Sequence, residues 1–133
     1  MKRTDLGKWS INFRTDRDML HKEMADALGL SASYLSSIEH GRKPIPEDWW
    51  DKVCRTFELT LPEASSLKIA IMRSKKSVTL PIENEYEARL LVAYQDHRSN
   101  LTDKTTREIE NLISCQENKA GAYGTEKQKA ADP

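Results

Sequence analysis

With 133 residues, 32% of them charged and 38% hydrophobic, the chain has room for one core domain and an appendage, and its composition excludes fibrous and collagen-like classes. Its formal net charge of zero is unevenly spread. Residues 1–76 hold 14 Lys/Arg against 11 Asp/Glu, a balance of +3, and residues 77–133 hold 7 against 10, a balance of −3. There is no apolar run of about 18 residues, and the opening MKRTDLGKWS lacks the apolar stretch of a signal peptide, so no membrane association and a cytoplasmic location are expected.

Helical periodicity runs through the first half. Leu6, Ser10 and Phe13 share a side with Trp9 beside them, and Thr4 or Asp5 can cap the start. A second helix, from about residue 19 to 28, puts Leu20, Met24, Ala27 and Leu28 on one stripe, with Asp18 as its cap and Gly29 as its stop. Ser31 caps a third helix, which turns Tyr34 or Leu35 and Ile38 inward and ends at Gly41. Pro46 pre-sets the first turn of a fourth, with Trp49, Trp50, Val53, Cys54 and Phe57 as its apolar face. Packing is the expected role of the Trp pair. Thr60 and Glu63 form the capping box of a fifth helix, whose Ala64, Leu67, Ala70 and Ile71 point inward.

From residue 77 the period changes. SVTLPI alternates Val78, Leu80 and Ile82, which predicts a short strand. Two amphipathic runs joined by SNLTD then predict a helical hairpin with a dry side. Tyr86, Leu90, Ala93, Tyr94 and His97 form one stripe, and Thr105, Ile109, Leu112, Ile113 and Gln116 the other. Residues 118–133 are polar and without period, and are expected to be disordered. The fold class expected is all-α: five helices in residues 1–76, then a strand and helical hairpin in residues 77–117.

Chemistry-bearing constellations are few. Cys54 and Cys115 stand apart, with no CxxC spacing, so neither a disulfide nor a zinc site is expected, and Cys54 is placed in the core. His21, His40 and His97 are too scattered to chelate a metal. No nucleophile-and-base group or phosphate loop stands out, so no catalytic residue, cofactor or enzymatic activity is expected.

The informative stretch is MADALGLSASYLSSIEHGRKPIP. Two helices crossing steeply over a tight turn require a small residue in the first and a turn that tolerates positive φ, demands met by Ala25 and Gly29. Once Leu30, Leu35 and Ile38 seal the pair inward, the outer face of the third helix is Ala32, Ser33, Ser36, Ser37 and His40. Short hydroxyls and an imidazole in place of Glu and Lys let such a face approach a flat polar partner.

HKEMADALGLSASYLSSIEHGRKPIP resembles the helix-turn-helix of the phage lambda repressor and Cro family, also called the XRE family, and the likeness spans roughly residues 5–73. Three positions depart from the family pattern. His21 replaces the usual Gln, Leu20 the usual Thr or Ser cap, and Glu58 the Gly that commonly ends helix four, implying a different turn there. The resemblance implies a double-stranded DNA-binding regulator of phage or bacterial origin, with the third helix in the major groove. Ala32, Ser33 and Ser37 would face bases, assisted by Tyr34. His21 would fix a neighbouring side chain or a phosphate, and His40, Arg42 and Lys43 would follow the backbone.

For the second half the reading is a homodimer interface built from Val78, Leu80, Tyr86, Leu90, Tyr94, Ile109, Leu112 and Ile113, which would make the protein a repressor reading a palindrome. The alternatives are an antitoxin, in which the same stripe binds a toxin, and a hairpin folded back on its own domain.

Overall fold

Three helices of the first half open at a hydroxyl side chain that caps them. The computed structural model describes the backbone of residues 2–120 and the side chains of residues 2–115. It divides into two compact units, Met1–Thr79 and Leu80–Pro133. In the first, α1 (Asp5–Asp16) is capped by Thr4, whose Oγ1 accepts the Gly7 N–H at 3.1 Å. α2 (His21–Leu28) ends at Gly29 in the left-handed region, φ 73°. α3 (Ala32–Glu39) is capped by Ser31, which accepts the Tyr34 N–H at 3.1 Å. α4 (Trp49–Phe57) leads through Glu58 to α5 (Leu61–Ser74), where Thr60 and Glu63 complete a reciprocal capping box.

The apolar faces of these helices close one core. Leu6, Phe13, Met24, Ala25, Leu28, Leu35, Ile38, Trp49, Val53 and Leu67 are buried together, and Trp50 and Phe57 are packed at its edge. Each large aliphatic side chain so enclosed contributes about 1.5–3 kcal/mol relative to exposure. α1 and α5 are tied by Trp9, whose Nε1 donates to Ser66 Oγ at 2.8 Å, and by Arg17, which reaches Glu63 at 3.0 Å while lying 4.1 Å above the Phe13 ring. The Arg17 hydrogen bond, followed by the Thr60 amide, holds the Glu63 carboxyl down at about 2. Trp50 donates its Nε1 to the Ala64 carbonyl at 2.8 Å and carries Lys68 over its ring.

Several expectations need correction. Asp18 does not cap α2. It sits in the preceding turn at φ 53°, and the Glu23 carboxylate accepts the Leu20 N–H at 2.8 Å instead. Glu58, at φ 48°, takes the same left-handed cap that a glycine would, so the turn after α4 keeps its form without the usual residue. Pro46 closes a turn onto the Trp49 N–H, and α4 begins only there. Cys54 is half-buried rather than in the core, and burial with nearby Asp51 pushes its thiol pKa up.

No strand occurs among the described residues, so the one expected at residues 77–82 is absent. Alternation makes one face apolar, but a strand needs a neighbour to take its backbone hydrogen bonds. Here Val78, Leu80 and Ile82 are exposed, and Pro81 has no N–H to give.

The second unit consists of α6 (Glu85–His97), a 3-10 turn at Arg98–Asn100, and α7 (Asp103–Ala120). Asn84 caps α6 by accepting the Glu87 N–H at 2.9 Å, and Thr102 accepts the Thr105 N–H at 3.1 Å ahead of α7. α6 and α7 flank an open apolar groove of about 540 Å³ lined by Leu90, Tyr94, Ile109 and Ile113 among others. None of residues 80–115 is buried. The helix of α7 includes residues 118–120, which the sequence assigned to a disordered tail. The rest of that tail, residues 121–133, and the Gln116 side chain lie outside the described residues.

Candidate nucleic-acid interface

Three residues, 29–31, separate α2 from α3, and each has a local task. Gly29 has open space where a Cβ would stand, so its role is the positive φ alone. The Leu30 N–H returns to the Ala25 carbonyl at 2.8 Å, closing the end of α2, and Ser31 opens α3. Ala25 is buried, as a tight crossing of two helices requires.

α3 is gripped from its inner side. Leu35 and Ile38 enter the core, and beside them Glu39, 1% exposed, receives Arg14 through two hydrogen bonds, at 2.6 Å and 3.3 Å. Arg14 is itself buried and also stands 3.3 Å from Met24 Sδ. A buried pair of this kind adds little net stability, yet removing one partner strands the other charge and costs about 3–5 kcal/mol, so it fixes the angle of α3 on α1. The Glu39 backbone is held as well. Its carbonyl accepts the Thr4 hydroxyl at 2.9 Å and the Thr4 N–H at 3.2 Å. α1 comes so close at this point that a Cβ added to Gly7 would overlap the Glu39 carbonyl oxygen.

The opposite side of α3 carries the candidate contact residues. Ala32 and Ser33 are exposed at its N-terminal end, whereas Tyr34, Ser36 and Ser37 are half-buried. The His40 ring turns back onto its own helix, with Nδ1 2.9 Å from the Ser36 carbonyl and 3.5 Å from Ser36 Oγ. Because that carbonyl can only accept, Nδ1 carries the proton. His21 is half-buried at the start of α2, its Nε2 3.9 Å from Glu39 Oε1, so it stands beside the buried ion pair. Gly41, at φ 76°, reverses the chain after α3. The Ser37 carbonyl then accepts the N–H groups of Arg42 and Lys43, at 2.8 Å and 3.2 Å, and both cationic side chains are exposed.

The candidate dimer residues form a separate set. Val78 belongs to the first unit, and Leu80, Tyr86, Leu90, Tyr94, Ile109, Leu112 and Ile113 to the second; all are exposed. Within the second unit Leu90, Tyr94, Ile109 and Ile113 share the groove between α6 and α7.

Sequence reasoning overlooked Glu39, Gly7 and Thr4 as the residues that set α3. Two signals were available: a lone carboxylate on a helix otherwise built from apolar and hydroxyl side chains, and a lone glycine inside a helical pattern, where it costs about 1 kcal/mol unless packing needs it.

Among the described residues no helix is long and apolar enough to cross a membrane. No curated protein and no solved structure matches the chain. Residues 12–67 match the model of a helix-turn-helix domain family, a span that runs from within α1 to within α5 and contains the whole α2–turn–α3 unit.

Proposed function

We propose that this chain is a sequence-specific double-stranded DNA-binding regulator of the lambda repressor and Cro kind, acting as a homodimeric repressor on a palindromic operator. The observation that carries the reading is the asymmetry of α3. Its inner side is fixed by Leu35, Ile38 and the Arg14–Glu39 pair, while its N-terminal outer side bears only Ala32 and Ser33. Small side chains on a rigidly held helix let the backbone come close to base edges in a major groove about 12 Å wide. Ala32 offers a methyl to thymine, and Ser33 and Ser37 offer hydroxyls to donor or acceptor edges, with Tyr34 and Ser36 at their flank. His40, Arg42 and Lys43 serve the phosphates, and His21 fixes a neighbouring side chain or a phosphate. The helix-turn-helix match over residues 12–67 supports the same reading.

Homodimer formation is supported by the second unit, where Leu90, Leu112 and Ile113 stay exposed and no described residue is buried. Two short helices without a core of their own are marginal in water, and a covered apolar face makes them stable. Two copies joined there would hold their α3 helices about one DNA turn, ~34 Å, apart.

Selection of bound duplexes from a randomised pool tests the reading. The expected product is a two-fold symmetric site with half-sites about 10 base pairs apart. Ser33→Ala and Ser37→Ala are then expected to relax particular positions, by about 1 kcal/mol each. No enrichment, or equal losses on every sequence, would contradict it. A chain that stays monomeric and captures a second protein through α6 and α7 would point to the antitoxin alternative.

A further inference from the structure

A groove of about 500 Å³ lies within the first unit, where the end of α5 meets the loop after α3. Among its lining residues are Thr4, Arg42, Lys43, Glu47, Lys75 and Lys76. Four cations against one carboxylate give these described lining residues a formal balance of +3. The two basic pairs come from distant parts of the sequence, so their meeting is a product of the fold.

The backbone beneath them is pinned. Ser74 Oγ accepts the Leu6 N–H and donates to the Ala70 carbonyl, both at 2.8 Å, and Arg73 Nε reaches Asp5 Oδ2 at 2.7 Å. These bonds tie the end of α5 to the start of α1. Thr4 ties the start of α1 in turn to the Glu39 carbonyl at the end of α3. Lys75 and Lys76 are thereby held beside Arg42 and Lys43.

We infer that this groove is a second phosphate-contact surface, through which Lys75 and Lys76 extend the DNA-backbone track begun by Arg42 and Lys43. The inference rests on the DNA-binding reading above. Its ligand is the phosphodiester of a duplex rather than a small enclosed phosphate, because five of the amides around the groove are already used. The Thr4 N–H goes to Glu39, the Gly41 N–H to Ile38, those of Arg42 and Lys43 to Ser37, and that of Lys75 to Met72. Compact phosphate sites draw on helix N-termini and nests of spare N–H groups, whereas here α3 and α5 present their carbonyl ends and the Leu6 and Gly7 N–H groups at the start of α1 already go to Ser74 Oγ and Thr4 Oγ1. Recognition falls to long, exposed cationic side chains, which suit an anion passing along the surface.

The test is binding of the full chain to a mixed-sequence 30-base-pair duplex across a salt series. Lys75→Ala/Lys76→Ala is expected to weaken binding at least tenfold and to reduce the log–log salt slope by about 1.8, at about 0.9 per phosphate contact. A control pair outside the groove, Lys8→Ala/Arg55→Ala, is expected to change the slope by less than about half as much. Lys75→Gln/Lys76→Gln reads the same quantity if the alanine pair melts early. An unchanged slope with intact wild-type binding would overturn this inference alone; a wild type that binds no duplex would overturn the DNA-binding reading itself. Inorganic phosphate at constant ionic strength is expected to compete no better than chloride. Saturable competition by phosphate that the lysine variant loses would reassign the groove to a free anion and overturn the proposal.

Discussion

The two units carry the same kind of amphipathic helical pattern with opposite outcomes. In Met1–Thr79, Leu35, Val53 and Leu67 are fully enclosed by neighbouring helices. In Leu80–Pro133, Leu112 is 70% exposed, Tyr86 is 82% exposed, and no described residue is buried. An apolar stripe tells where a helix will bury surface and leaves open what will cover it. In the first unit the answer lies within the chain, because α1 and α5 return to close over α2, α3 and α4. For the second, we propose that a second copy supplies it.

The largest expected effect sets the units side by side. Leu35→Ala removes a side chain from a closed core and should lower the stability of the chain by about 2–5 kcal/mol. Leu112→Ala, at an exposed position, should change the stability of the isolated protomer by less than about 0.5 kcal/mol. Denaturant unfolding at low protein concentration compares them directly, and a large loss for Leu112→Ala there would mean that α7 is covered within one chain. Gly7→Ala comes next. Alanine is the better helix former by about 1 kcal/mol, yet its Cβ would press on the Glu39 carbonyl, and the net expectation is a loss of about 2 kcal/mol with α3 displaced from α1. Thermal melts together with DNA affinity would show both parts, and a variant as stable as wild type would refute the close approach.

The smallest effect concerns Glu63. Its carboxyl titrates lower in the folded chain than in the unfolded one, so its contribution is fully present above the ordinary carboxylate range and is lost as pH falls through about 2. Being a partly exposed pair, it is worth less than ~1 kcal/mol. Melts of wild type and Glu63→Gln should differ slightly at neutral pH and converge near pH 2, with the same convergence in a chain ending at Thr79. A gap that persists at low pH would sink the assignment.

What the sequence disclosed was local. Ser31, Gly29, Gly41 and the Thr60–Glu63 box act within three or four residues of themselves, so their chemistry can be read in place. Glu39 meets Arg14 across 25 positions, and Gly7 is small because a carbonyl of another helix lies against it. Neither neighbour is visible in a window of sequence. The expected strand failed for a related reason, since alternation describes side-chain faces and a strand also requires a ladder partner. Asp18 lies in a left-handed turn two residues ahead of Leu20, which opens α2, and Glu23 meets the capping need from inside the helix. The base-facing role proposed for Ala32, Ser33 and Ser37 comes from the resemblance to the lambda repressor and Cro family, and their smallness suits a close approach to DNA.

The most direct test of the account titrates one palindromic duplex, chosen by the selection described above, with the full chain and with a chain ending at Thr79. The short chain is expected to fold, to remain monomeric and to bind each half-site independently. The full chain should bind as a dimer about a hundredfold more tightly, because a joined pair converts the second contact into an intramolecular one. Equal affinities and equal stoichiometries for the two would contradict it.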